Sequence, residues 1–377
     1  MIPYGRQNID DADIEEVAKV LRSDLITTGP KVREFEEALC DRVGAKHATV
    51  ISSGSSALDI AVRALDLPRG SEVITTPFTF VATANSILHN NLQPVFADIE
   101  PGTRNIDPES VRKNITKNTK AVIYVDYAGH PCRMNEMREI ADQHGLHLIE
   151  DACHALGAEY RGRKVGTFAD MTIFSFHPVK HITTGEGGAV MTDSEDLDGR
   201  LKMLRHHGIT KETPEGLEKG LDYVYDVSAL SHNYRITDLQ CALGISQLAK
   251  LESFIDERTR LAKMYQETLP GIEYVEPPEV DGDVKHAWHL FTVLVNGKDR
   301  NGLFKYLRGH GIGAHVHYIP TYRFTYYRGR FKLSPKDFPV TEDVFQRILT
   351  LPLHPSLEEK DVRFICDKLA AYDKKEP

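Results

Sequence analysis

The chain has 377 residues, 41% of them hydrophobic, with 55 acidic and 46 basic side chains and a formal net charge of −9. That length can bury a large core in two lobes, and an acidic balance without long basic runs argues against nucleic acid as the main partner. Five scattered cysteines without a CxxC pair argue against a disulfide framework or a metal site and fit a reducing cytoplasm, and no apolar run approaches the ~18 residues of a bilayer span.

From the N-terminus, MIPYGRQNIDDADIEE lacks the cationic and apolar regions of a signal peptide. Short apolar runs then alternate with helical stretches. Strands are expected at His47–Ser52, Glu72–Thr75, Gln93–Ala97, Ala121–Val125, Leu146–Glu150, Met171–Ser175 and Ala189–Thr192, with helices near 55–66, 79–90, 108–114 and 135–144. This is the pattern of βαβ units in a mainly parallel seven-stranded sheet, whose ligands sit at the carboxyl ends of the strands. The segment 210–230 reads as an exposed loop. A long amphipathic stretch runs from Thr237 to about Glu267. Beyond it come a strand at Trp288–Val295, a helix at Gly302–Gly309, a strand at Gly313–His317 and a final helix at Leu357–Tyr372. The chain therefore divides into a large domain, 1–248, and a small C-terminal α/β domain, 249–377.

Three segments carry candidate chemistry. In Phe174-Ser175-Phe176-His177-Pro178-Val179-Lys180 a strand ends at Ser175 and a proline stops regular structure before a lone lysine. On a constrained loop between buried strands such a lysine is desolvated and nucleophilic; the alternative is a surface lysine beside a turn. The Gly185-Glu186-Gly187-Gly188 turn lacks the G-x-G-x-x-G spacing of a dinucleotide site. In Leu146–His154 a strand ends at Glu150-Asp151, placing Asp151 where it can hold a pyridinium proton or simply cap the next helix. In Ile51-Ser52-Ser53-Gly54-Ser55-Ser56 a strand passes through a polar turn into a helix, which is a phosphate cradle or an ordinary N-cap. Together the three supply the parts of a pyridoxal-phosphate (PLP) site. Phe80 is placed to stack on the ring, or to pack in the core.

These residues resemble the DegT-type sugar-nucleotide aminotransferases, PLP enzymes of the aspartate-aminotransferase-like fold (fold type I). The resemblance spans nearly the whole chain. It includes Pro3-Tyr4, Thr27-Thr28-Gly29-Pro30, Ser52-Ser53-Gly54, Thr76-Pro77 with Phe80–Asn85, Glu150-Asp151-Ala152 with His154, Phe174–Lys180, Glu186-Gly187-Gly188 and Asn233-Tyr234-Arg235.

The resemblance implies that Lys180 carries PLP as an imine and that Asp151 pairs with the pyridine nitrogen. His154, where many members have glutamine, lies beside the ring oxygen. Ser175 binds the phosphate with Ser55 and Ser56, Phe80 stacks on the ring, and Asn233 reaches across a homodimer interface with Arg235 close by. Tyr4, Thr28, His177, Arg235, His317 and Tyr318 are the candidates for substrate contact. Arg323, Arg328 and Arg330 meet a diphosphate or form an exposed loop. A branch of the family carries histidine in place of the lysine and dehydrates; here Lys180 is intact beside His181.

The segments MIPYGRQNIDDADI, LITTGPKV, FHPVKHITTGEGG and Val316–Pro320 look most like pseudaminic-acid pathway enzymes. The expected reaction is amino transfer from glutamate to a UDP-linked 4-keto-6-deoxy-N-acetylhexosamine. Another nucleotide keto sugar, or a non-catalytic sugar-nucleotide sensor, are the alternatives.

Overall fold

The computed structural model describes residues 1–373. All seven expected strands form, with bounds within two residues of the expected ones: β1 His47–Ile51, β2 Glu72–Thr75, β3 Gln93–Phe96, β4 Thr119–Val125, β5 His147–Asp151, β6 Met171–Ser175 and β7 Gly188–Thr192. They make one sheet in the order β1-β7-β6-β5-β4-β2-β3, in which β7 alone runs opposite to the rest. The strands are buried on both faces, as sheets covered by crossover helices are. On β4, Val122 and Tyr124 face one core, with Phe35, Met137 and Ile140, while Ala121 and Ile123 face the other, with Leu58, Ile60 and Leu201.

The helices covering these faces are α1 Asp11–Leu21, α2 Pro30–Val43, α3 Gly54–Ala64, α4 Ala82–His89, α5 Pro108–Asn114, α6 Met134–His144, α7 Glu195–Arg205 and α8 Asp238–Ala249. The stretch expected as one long helix is two, α8 and α9 (Leu251–Thr268). They meet at Lys250, whose ammonium is drawn to Asp10 and to the fully buried Asp13 of α1. The first half of α9 packs into the large core through Leu251 and Ile255, and the second half into the small one through Leu261 and Tyr265. The helix is thus the connection between the two cores, and the expected division at 248/249 falls just before it.

The small lobe pairs β8 (Val275–Glu276), β9 (Phe291–Val295) and β10 (Ile348–Leu351) antiparallel, covered by α10 (Arg300–Gly309) and α13 (Glu359–Asp373). The expected strand at Gly313–His317 does not form. The chain there gives its hydrogen bonds to two different neighbours, Gly313 N–H to Ile2 O at 2.7 Å and His315 N–H to Thr350 O at 3.1 Å. Elements without a counterpart in the sequence expectation include α1, α2, α7, β8, β10, α11 (Thr325–Phe331) and α12 (Pro339–Arg347). Segment 210–230 is largely exposed, as expected.

All parallel strands end at one edge, and the antiparallel β7 starts there, with Gly188 opposite both Ile51 and Ser175. The loops after β1, β2, β4, β5 and β6 therefore converge on one cleft.

Candidate active site

Ser53 is the N-cap of α3; its extended backbone lets the hydroxyl accept the Ser56 N–H at 3.1 Å. The first intrahelical bond is Ala57 N–H to Ser53 O, so the Gly54 and Ser55 amides precede the helical ladder. A Cβ on Gly54 would stand 2.9 Å from Ser175 Cβ, so only glycine lets the helix start press against the end of β6. The outcome is a cradle of helix-terminal amides, Ser55 and Ser175, suited to a phosphate. Ser56 is buried behind it. Its hydroxyl lies 2.6 Å from Ser53 Oγ and is used inside the turn.

Asp151 ends β5. Its carboxylate accepts the Thr83 hydroxyl at 2.8 Å and the Cys153 N–H at 3.3 Å. Thr83, on α4, is a residue that the sequence reading did not single out. Its role depends on a contact across 68 positions, which no local pattern carries.

Lys180 lies in the cleft on a loop closed by Phe176 N–H to Gly187 O and Lys180 N–H to His177 O. Its ammonium makes no hydrogen bond or ion pair among the described residues. Burial lowers its pKa, against the opposing pull of Cys153 and Asp151. A desolvated amine without a fixed partner is a nucleophile and proton carrier. His181 turns away from the cleft: its Nε2 lies 2.9 Å from Ala287 O, and it does not line the cavity.

The cavity has a volume of about 540 Å3. Opposite the floor stands a wall of Tyr4, His315, His317 and Tyr318, with Phe80 and His177 beside it. Phe80 is 55% exposed, a large apolar ring left in the opening rather than packed in the core. His317 Nδ1 lies 2.9 Å from Thr350 Oγ1, and burial, with His315 and Lys180 nearby, lowers its pKa to about 3. His154 sits under Tyr318. Glu186, from the Glu186-Gly187-Gly188 motif, also lines the cavity, as do Cys153, His289 and His315, which the sequence did not single out.

Three of the candidates lie elsewhere. Thr28 and Arg235 line a second cavity of about 180 Å3, with Arg33, Glu36 and Arg205. Asn233 is exposed next to it, its Oδ1 accepting the Arg235 N–H at 3.2 Å. Arg323 is engaged by Glu342, and neither it, Arg328 nor Arg330 lines the cleft.

Residues 7–370 match the DegT/DnrJ/EryC1/StrS aminotransferase family. The chain belongs to this family. It is 39% identical, over 98% of its length and 96% of the relative's, to the UDP-4-amino-4,6-dideoxy-N-acetyl-beta-L-altrosamine transaminase of Campylobacter jejuni. Among solved structures it superposes on Helicobacter pylori PseC, an aminotransferase of pseudaminic acid biosynthesis, with a TM-score of 0.92 and 35% identity, covering 98% of both chains. It superposes equally, at 0.92 and 29% identity, on the PLP form of a putative sugar aminotransferase from Streptococcus pneumoniae, again covering 98% of both.

The family member described here is therefore a PLP-dependent sugar aminotransferase of the aspartate-aminotransferase-like fold. Its residues fit the cofactor: the cradle at Gly54, Ser55 and Ser175 suits the phosphate, Asp151 the ring nitrogen, and the unpaired Lys180 amine the aldehyde. When bound, PLP supplies an electron sink for the substrate carbon. For that chemistry the cleft offers the amine of Lys180 and the carboxylate of Asp151.

Proposed function

We propose that the chain transfers the amino group of L-glutamate to the C4 keto group of a UDP-linked 4-keto-6-deoxy-N-acetylhexosamine, in the cytoplasm, for a surface-glycan amino sugar such as pseudaminic acid. The observation that carries this reading is the 39% identity to the Campylobacter transaminase over 98% of the chain. The aromatic and imidazole wall at Tyr4, His315, His317 and Tyr318 supports it, since such side chains can both pack against a sugar face and hydrogen-bond its hydroxyls. Lys180 moves the proton at the reacting carbon, and Asp151 holds the ring nitrogen charged while that happens.

The same reading calls for a homodimer with shared sites. Among the described residues Lys180 is the only lysine or arginine lining the cleft, yet glutamate and a diphosphate bring several negative charges. Thr28, Asn233 and Arg235 gather on another face of the chain, where a second copy can offer them to the cleft. Exposed Leu217, Leu221, Tyr223 and Leu230 lie in the adjoining segment and suit burial against that copy.

The test is incubation with glutamate and a panel of nucleotide-linked 4-keto sugars, reading 2-oxoglutarate and the mass of the amino sugar. The UDP-linked N-acetylhexosamine is expected to turn over fastest. Preference for a sugar without the acetamido group, or for another nucleotide, would overturn the substrate assignment and leave the aminotransferase intact.

A further inference from the structure

The hydrogen bonds of His154 limit what its ring can do. Its Nδ1 accepts the Ala128 N–H at 3.3 Å, so a neutral ring carries its proton on Nε2, which stands 3.0 Å from Tyr318 Oη. The imidazole therefore donates and the phenol oxygen accepts. Both ring nitrogens are then engaged. The phenol proton has no acceptor among the described residues, and Tyr318 lines the cleft.

The turn that imposes this tautomer is itself held in place. Ala128 sits at φ 59° and ψ 1°, a left-handed conformation that costs a non-glycine residue on the order of 1 kcal/mol. Asn105 clamps it by accepting the Tyr127 N–H at 2.8 Å and donating to His130 O and Pro131 O. The next residue, Gly129, has φ 98°, and a Cβ there would stand 2.8 Å from His154 O.

The surroundings keep both partners neutral. Burial, Lys180, His317 and His181 all oppose a charge on His154. Burial together with Tyr127, Tyr4, Asp151 and Cys153 opposes a phenolate at Tyr318. An amide N–H cannot reload Nδ1, so the pair does not relay protons onward.

We propose that Tyr318, and not His154, presents the hydrogen-bond donor to the ring oxygen of bound PLP, with His154 a positioning residue locked behind it as a neutral donor. Accepting the His154 N–H polarises the phenol and strengthens its own donation. The inference rests on the family's cofactor and not on the choice of sugar, so an error in the sugar leaves its test intact.

The test is a pH titration of the cofactor's visible absorbance in the substrate-free holoenzyme. A donor to the ring oxygen favours its deprotonated form. Tyr318→Phe should therefore raise the absorbance midpoint, by about one pH unit for a tenfold change in the equilibrium. His154→Gln should leave the midpoint in place, because a glutamine can accept from Ala128 and donate to Tyr318. His154→Leu should raise it. Selective 15N-histidine NMR, with His154 assigned from its loss in His154→Gln, should show an Nε2–H tautomer that does not titrate through neutral pH. An unchanged midpoint in Tyr318→Phe, a shift in His154→Gln as large as in His154→Leu, or a titrating His154 would each overturn the proposal. If Tyr318→Phe fails to retain cofactor, the two His154 variants and the NMR signal still decide it.

Discussion

In the cleft the cationic side chains are one lysine and a set of imidazoles, while in the cavity beside Thr28 they are three arginines, Arg33, Arg205 and Arg235. In the first set Lys180, His154 and His317 are desolvated, and burial lowers the pKa of each. In the second, Arg205 pairs with Glu36 and Arg33 with Glu37, whereas Arg235 makes no ion pair among the described residues. On the proposed function the difference follows from two tasks, and in the cleft the proton transfer belongs to Lys180 alone, since His154 stays a neutral donor. A group that must lose and regain a proton near neutral pH works best dry and away from fixed charge. A group that holds a diphosphate must stay charged, which a guanidinium does. One chain builds both surfaces but keeps them apart.

The largest effect that probes this contrast is expected at the cleft floor. Lys180→Ala should lower turnover by at least roughly 10^2–10^4-fold, the range for a general acid–base group, and abolish the imine absorbance in a folded protein. Turnover near that of the parent would remove the cleft from the account. Asp151→Asn keeps the shape but removes the charge facing the ring nitrogen, and should cost about 10^2–10^3-fold in kcat. Steady-state rates check this, and an unchanged kcat would refute the carboxylate's role.

At the other surface, Arg235→Ala should raise KM for the nucleotide sugar by roughly tenfold or more, as expected for a hydrogen bond to a charged group, with a smaller change in kcat. Unchanged KM would separate Arg235 from substrate.

The smallest expected effect lies beneath the cleft. Asp126 and Glu150 are fully buried against each other, and burial raises both carboxyl pKa values. Unfolded carboxyls titrate near about pH 4. The stability held in the protonated pair is thus complete below about pH 4 and declines as pH rises through the raised folded values. Glu150→Gln should flatten the fall of Tm toward alkaline pH. A parallel fall in both proteins would show that the pair does not titrate.

The sheet was legible because its strands are uninterrupted apolar runs ended by polar turns, and the same turns carry Ser55, Asp151, Ser175 and Lys180. Local pattern sufficed for these because parallel strands place all their ends at one edge. It failed at Gly313–His317, whose backbone bonds go to Ile2 and Thr350, and at the break between α8 and α9, which depends on Asp13 far away in sequence. Ser56 looks like a phosphate ligand in sequence because a hydroxyl at a helix start serves equally to cap the turn. Thr83 beneath Asp151 and Tyr318 against His154 are contacts across 68 and 164 positions, invisible to any window of neighbouring residues.

The claim that the two surfaces complete one site across a dimer has a direct test in subunit mixing. Lys180→Ala and Asn233→Ala, each inactive or nearly so alone, are unfolded together, refolded and assayed. If Lys180 of one copy works with Asn233 of its partner, each mixed dimer holds one intact site, and activity should return to about a quarter of the parent level for random pairing of a two-fold dimer. If the mixture stays as inactive as its components while mixed dimers are shown to form, the shared-site account is contradicted.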